Sequence, residues 1–255
     1  MNAVSILSIQ LYSLRGLGGL ERQLEAVAAA GFRQVETIES QLLDTASTRD
    51  RLDALGLRAS SSHVGMTALR ERLDQVAGAC AALGIEQVFM PALPAAERNG
   101  PAAAWNAAGR ELGEIARRLA DRGLALGYHT HDWELAVQDD GRTGLDHLFE
   151  GAAGSPLRWQ VDVAWLARAG ADPVPWLESH GGLVASAHVK DIAPAGRNAD
   201  EDGWTDIGGG TLDWPDLWRR CRDAGARWMV AEHDNPKDPA GFASRSFAWL
   251  RHMPA

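Results

Sequence analysis

Five of the eight histidines in this chain, His63, His129, His131, His188 and His233, fall where short apolar runs end. The acids Glu36, Asp162 and Glu232 fall at equivalent places, and Lys190 follows His188 by two residues. Imidazole nitrogens and carboxylate oxygens brought together are the ligand set of a divalent ion such as zinc, manganese or iron. Each residue alone also has a structural explanation. A histidine at a strand end is commonly a hydrogen-bonded part of the scaffold. Asp162, just before Val163-Ala164-Trp165, is placed to cap a helix. Lys190 and Asp191 read equally well as a surface pair. Glu232 is harder to explain that way, because a carboxylate in an apolar strand needs a partner. The recurrence of these types at one end of successive runs points to a shared site.

The elements that must position them repeat along the chain. A short apolar run is followed by a longer amphipathic stretch every 25–35 residues or so, the rhythm of βα units. Strands are expected near Val4–Gln10, Gln34–Glu36, Arg58–His63, Gln87–Met90, Ala125–His131, Arg158–Asp162, Ala185–Lys190 and Trp228–Glu232. Helices are expected over Leu20–Ala30, Leu69–Leu83 and Trp105–Arg122, with Gly31, Gly84 and Gly123 at their ends, where a left-handed cap favours glycine. Eight units in one chain of 255 residues predict a single (β/α)₈ barrel domain spanning residues 1–255. An open doubly wound sheet usually carries a Gly-rich phosphate turn after its first strand. Here Leu11-Tyr12-Ser13-Leu14-Arg15 stands in that place. In a barrel the strands' C-terminal ends share one rim, and that rim carries the active site. Side chains alternate along a strand, so His129 and His131 face one way, as do His188 and Lys190.

Composition narrows the function classes. At 45% hydrophobic and 23% charged, the chain reads as globular. Its net charge of −9 argues against nucleic acid as a partner. No apolar run approaches the roughly 20 residues needed to cross a bilayer, so no membrane association is expected. Met1-Asn2-Ala3-Val4-Ser5 lacks the features of a secretory signal, and the widely spaced Cys80 and Cys221 suit reduced thiols in the cytoplasm. A homo-oligomer is left open. The segment Ala195–Gly210 reads as one long loop, in which Gly208-Gly209-Gly210 suits either a phosphate cradle or a plain turn, and Lys237 reads as a solvated charge. Trp133, Trp165, Trp204 and Trp214 follow strand ends, where aromatic faces can stack on a sugar's C–H face or simply pack.

Several segments, in order, resemble the sugar phosphate isomerase/epimerase family of xylose-isomerase-like TIM barrels, relatives of inosose dehydratases and endonuclease IV. They are Ile9-Gln10-Leu11-Tyr12-Ser13-Leu14-Arg15, Gly31-Phe32-Arg33-Gln34-Val35-Glu36 and Tyr128-His129-Thr130-His131-Asp132-Trp133-Glu134. Asp162-Val163-Ala164-Trp165, His188-Val189-Lys190-Asp191 and Gly208-Gly209-Gly210-Thr211-Leu212-Asp213-Trp214 continue the series. The resemblance implies one divalent metal ion (Mn, Zn, Mg, Co or Fe) held by His129, Asp162, His188 and Glu232. His129 stands where the family usually has glutamate, and Glu134 is the alternative fourth ligand. It further implies proton abstraction beside a carbonyl of a sugar, ketosugar or polyol, with Glu232, His131, His63 or Glu36 as base and Lys190 offsetting negative charge. Gln10, Tyr12, Trp133, Trp165 and Trp204 are the expected substrate contacts. Reprotonation would make the protein an isomerase or epimerase, and loss of a β-hydroxyl a dehydratase or lyase. A zinc phosphodiesterase of the endonuclease IV type and a nonenzymatic sugar-binding barrel are the remaining readings.

Overall fold

The computed structural model describes residues 3–254. Met1 and Asn2, at the start of the segment read for a signal, lie outside them. Eight parallel strands form the barrel: β1 (Leu7–Gln10), β2 (Gln34–Ile38), β3 (Arg58–His63), β4 (Gln87–Met90), β5 (Ala125–His129), β6 (Arg158–Asp162), β7 (Val184–Val189) and β10 (Trp228–Ala231). They close in the order β1-β10-β7-β6-β5-β4-β3-β2. Two short strands, β8 (Asp191–Ile192) and β9 (Trp204–Thr205), pair antiparallel outside it.

The departures from expectation are local. Ala3–Ile6 is a 3-10 turn, so the first strand begins at Leu7. The fifth ends at His129, two residues early. The apolar spacing across Leu69–Leu83 is continuous, but the backbone forms two helices, Met66–Glu71 and Leu73–Leu83. Between them Arg72 leaves helical geometry and its guanidinium meets Glu39 at 2.5 Å. The segment 195–210 is not structureless, since it holds β9 and a 3-10 turn at Ala199–Glu201.

Alternation sorts the strand residues. Leu7 and Ile9 join the apolar layer beneath the helices with Val35, Val88, Leu126, Val161 and Ala187. Their neighbours point inward, and most of these are polar, with Phe89 and Val230 as exceptions. Ser8 and Ser60 hydroxyls meet at 2.8 Å, and Gln160 on β6 reaches Glu36 on β2 across the lumen at 2.7 Å. The layers of branched aliphatic side chains usual in such barrels give way here to a hydrogen-bonded interior.

Outside the barrel, helix Ala102–Ala120 lies against helix Gly144–Gly151 at glycine contacts. A Cβ on Gly109 would collide with the Leu148 carbonyl, and one on Gly151 with that of Asn106. Backbone cannot yield as a side-chain tip can. Gly109→Ala is therefore expected to lower stability by about 1–3 kcal/mol, the usual cost of overpacking. A urea midpoint equal to that of the parent would show that the helices do not need this close approach.

Candidate active site

The strand ends bring His129, Asp162, His188 and Glu232 together, with one potential ligand atom from each within 4.8 Å of the others. All four are buried. Asp162 caps helix Val163–Arg168, its Oδ1 accepting the Trp165 backbone N–H at 3.0 Å. Its Oδ2 is buried without a hydrogen-bond partner, although the Lys190 ammonium lies 3.3 Å away. A buried carboxylate oxygen left over beside two imidazoles and a second carboxylate suits a divalent cation, so the donor set fits the expected metal.

Beneath this group lies Glu36, fully buried. Its Oε1 accepts from Gln10 Nε2 at 2.8 Å and His188 Nε2 at 2.6 Å, and its Oε2 from Ser61 Oγ at 2.6 Å and Gln160 Nε2 at 2.7 Å. His63 Nε2 lies 3.1 Å from Oε1. Burial alone would raise the Glu36 pKa, but His63 and His188 hold it well below the usual carboxylate range. With its lone pairs spent, Glu36 is no free base. It orients His188 instead, leaving Nδ1 directed at Glu232 Oε2, 2.8 Å away. A carboxylate behind a ligating imidazole is a common support for a metal site. Gln10, also fully buried, is spent on Glu36 and on the Tyr12 backbone N–H, which removes it from the expected substrate contacts.

Lys190 and Asp191 are not a surface pair, because both are fully buried. The Lys190 ammonium meets Glu232 at 2.9 Å and both Asp234 oxygens at 3.0 and 2.9 Å, with the Trp165 and Trp204 rings beside it. Burial would lower its pKa, yet Asp162, Glu232 and Asp234 override this and raise it. Lys190 thus stands behind the carboxylates, where it neutralises their charge. The Asp191 carboxylate accepts the backbone N–H groups of Gly208, Gly210 and Leu212. Of the two readings open for Gly208-Gly209-Gly210, the phosphate cradle is therefore already filled by a side chain of this protein. Trp214 Nε1 donates to the Lys190 carbonyl at 3.0 Å. Lys237 is a surface residue paired with Asp200.

Above the four converging residues opens a cavity of about 470 Å³. Tyr12, His63, His131, Trp133, Trp165 and Glu232 line it. Trp204 does not reach the wall; it packs edge-on against Trp165 from behind. His131 stacks on Trp133 with ring centroids 4.2 Å apart. Three wall atoms, His131 Nδ1, Trp133 Nε1 and Trp165 Nε1, are buried without a hydrogen-bond partner. His131 and His129 are both held neutral, chiefly by burial, which pushes their pKa values well down. Glu134, the alternative ligand, is directed elsewhere. It accepts from Tyr128 Oη and the His131 backbone N–H, and burial pushes its pKa up to about 7. His233 also turns away from the site, accepting the Asn235 N–H at 3.1 Å. A cavity of similar volume opens at the N-terminal end of the barrel between Arg49, Arg58 and Arg227, but no catalytic group converges there.

The structure also adds residues that the sequence reading missed. Gln160 links the histidines to Glu36, and its inward polar position two residues before Asp162 marks it by strand alternation alone. Glu39, Ser40 and Asp234 enter the cavity wall from segments following strands, which no periodicity identifies.

His188 carries a testable electrostatic consequence. Burial opposes its charge, but Glu232 and Glu36, one at each ring nitrogen, push its pKa up to about 10. A divalent ion would compete with the proton for Nδ1. Metal affinity is therefore expected to rise with pH below about 10, by at most about tenfold per unit for one displaced proton. Titrating metal-free protein at several pH values measures this, and an affinity independent of pH would show that His188 is neutral.

A closed parallel barrel with its converging polar groups at the strands' C-terminal ends defines the class: an α/β barrel with its site on that rim. Within that class the chain belongs to the xylose isomerase-like TIM barrel family, whose model matches residues 24–253. A curated relative, the rhizopine catabolism protein MocC of Rhizobium meliloti, is 28% identical over 167 residues. That match takes in 59% of this chain and half the length of the relative. Among solved structures, a sugar phosphate isomerase/epimerase from Parabacteroides distasonis superposes with a TM-score of 0.82 at 19% identity, covering 97% of this chain and 94% of the other. The IolI protein, solved with a bound zinc atom, gives 0.72 at 14% identity, covering 96% and 97%. Both share the fold. No helix among the described residues is long and apolar enough to cross a membrane.

Proposed function

We propose that this chain is a metal-dependent isomerase or epimerase of a sugar, ketosugar or polyol, working through an enediolate. The observation that carries the reading is the convergence of His129, Asp162, His188 and Glu232, two of which, His129 and Glu232, line a cavity walled by indoles and imidazoles. These four residues would hold the ion, which supplies a Lewis acid to polarise the substrate carbonyl. The chain's own groups do the rest. Trp165 offers apolar ring surface at the wall to the substrate's C–H face, while Trp133, stacked between His131 and the Arg98 guanidinium, shapes the wall beside it. Glu232 stands at the wall as the carboxylate that takes a proton from the carbon beside the carbonyl. The neutral His131, with an unpartnered Nδ1, is placed to return or relay a proton. Lys190 keeps Glu232 ionised by lying 2.9 Å from it. Its burial pulls the Glu232 pKa upward, while Lys190 and then His188 hold it well below the usual range.

One observation favours elimination as the second step. The strand-five position carries His129, whose Nδ1 is tied to Gln160 at 3.0 Å, and Glu134 is tied to Tyr128 and the backbone. Of the carboxylates at the wall, Asp234 is spent on Lys190 and Glu39 on Arg72 and the Gly65 N–H, which leaves Glu232 as the base beside the neutral His129 and His131, an arrangement suited to removing one proton and protonating a departing hydroxyl. On this reading the chain is a dehydratase sharing the same first step. The net charge of −9 counts against a DNA phosphodiesterase. Exchange in deuterated water tests the common step. With metal fully loaded, a ketose or inosose from a broad panel is expected to exchange a carbon-bound proton, and chelation is expected to stop it. A fully loaded protein inert to the whole panel would overturn the enzymatic reading.

A further inference from the structure

We infer that Gln160 is a positioning residue that orients His63, fixes the tautomer of His129 and so leaves Nε2 of His129 bare as its ligand atom. The inference rests on the metal reading above, and its first measurement is independent of metal. Gln160 is fully buried in the lumen, and its amide has four neighbours. Its nitrogen lies 2.7 Å from Glu36 Oε2 and 3.1 Å from Ser186 Oγ; its oxygen lies 2.7 Å from His63 Nε2 and 3.0 Å from His129 Nδ1. An ionised carboxylate only accepts, so the amide edge facing Glu36 must be the NH₂ group. The opposite edge is then the carbonyl oxygen, which only accepts. Both imidazole nitrogens facing it must donate. The reversed amide would set its oxygen against the Glu36 carboxylate, two acceptors in contact inside the barrel.

A second contact reaches the same result for His63 without reference to the amide. Its Nε2 also lies 3.1 Å from Glu36 Oε1, another acceptor, so this nitrogen carries hydrogen. A neutral imidazole has one N–H. His129, held neutral by burial and donating from Nδ1, has a bare Nε2, while His63 presents its Nε2–H to the carbonyl whatever its charge. The carbonyl of one glutamine thus orients two histidines, while Glu36 orients His188 through Nε2. Hydrogen bonds of this kind behind a ligand typically contribute 10–100-fold to metal affinity.

The test reads the tautomer directly. Metal-free wild-type protein with ¹⁵N-labelled histidine is recorded by long-range ¹H–¹⁵N correlation, with His129 assigned by its absence from His129→Gln. The expected result is the Nδ1–H form at His129, and the Nε2–H form there overturns the inference. In Gln160→Leu, His129 is expected to become a mixture of tautomers, and calorimetric affinity for Mn²⁺ is expected to fall 10–100-fold. If either readout stays at its wild-type value, the positioning role is wrong. Should Gln160→Leu not fold, the wild-type spectrum alone decides. Wild-type protein that shows the expected tautomer but binds no Mn²⁺ would overturn the ligand assignment and the metal reading, leaving only the hydrogen-bonded clamp.

Discussion

Replacing Glu232 by glutamine is expected to slow metal-dependent proton exchange by about 10²–10⁴-fold, the usual contribution of a positioned acid or base. Glu232 is 4% exposed, lies at the cavity wall and is held between Lys190 and His188 at 2.9 and 2.8 Å. Glutamine keeps the size and the oxygen but loses the basicity. Because Glu232 is also a proposed ligand, rates must be compared at equal metal content, measured by elemental analysis. His129→Glu is the companion variant. Imidazole and carboxylate both suit a divalent ion, so it is expected to retain metal. A fully metallated Glu232→Gln protein turning over at the parental rate would move the base to His131 or His63.

The second large effect concerns stability. Lys190→Met is expected to cost about 3–5 kcal/mol in the metal-free protein, the usual loss when one partner of a buried ion pair is removed. Methionine fills much of the same space beside Trp165 and Trp204, so packing is largely kept. What disappears is the one ammonium that meets Asp162, Glu232 and Asp234 together. Adding a divalent ion is expected to recover part of the loss, since it replaces the missing positive charge. Urea unfolding with and without metal measures both. A loss below about 1 kcal/mol without metal would mean the carboxylates have other compensation.

The parallel-barrel rule explains why so much of the candidate site is legible in the sequence. Once His129, Asp162, His188 and Glu232 are assigned to strand ends, closure of the barrel gathers them, because all strands end on one rim. What escaped the sequence has physical reasons. Glu36 ends the run read as the second strand, like a catalytic acid, but that strand continues to Ile38, and only the three-dimensional arrangement reveals that four other strand side chains donate to Glu36 and a fifth approaches. Gln10 shares the alternation of the inward residues but is spent on Glu36, and Trp204, read in a loop after a strand end, lies behind Trp165. Gly208-Gly209-Gly210 has the composition of an anion cradle, and the anion proves to be Asp191. The break at Arg72 is silent in the apolar pattern because both flanking helices face the same layer. Asp234 reaches the cavity from an irregular segment and Glu39 from the start of the one-turn helix Glu39–Leu42, both too short for a period of two or of 3.6 to show.

The polar bonds on Glu36 bear on how such a sequence can diverge. Gln10, Ser61, His63, Gln160 and His188 come from four different strands, yet all face one carboxylate. A change at any one leaves a buried lone pair or donor that the others cannot relieve, so effects of substitutions among them are expected to be strongly non-additive. Drift at these positions is constrained jointly, not site by site. A descendant that loses Glu36 retains little reason to keep its donors, and replacing the whole group at once is the route by which a barrel of this shape would exchange one interior chemistry for another.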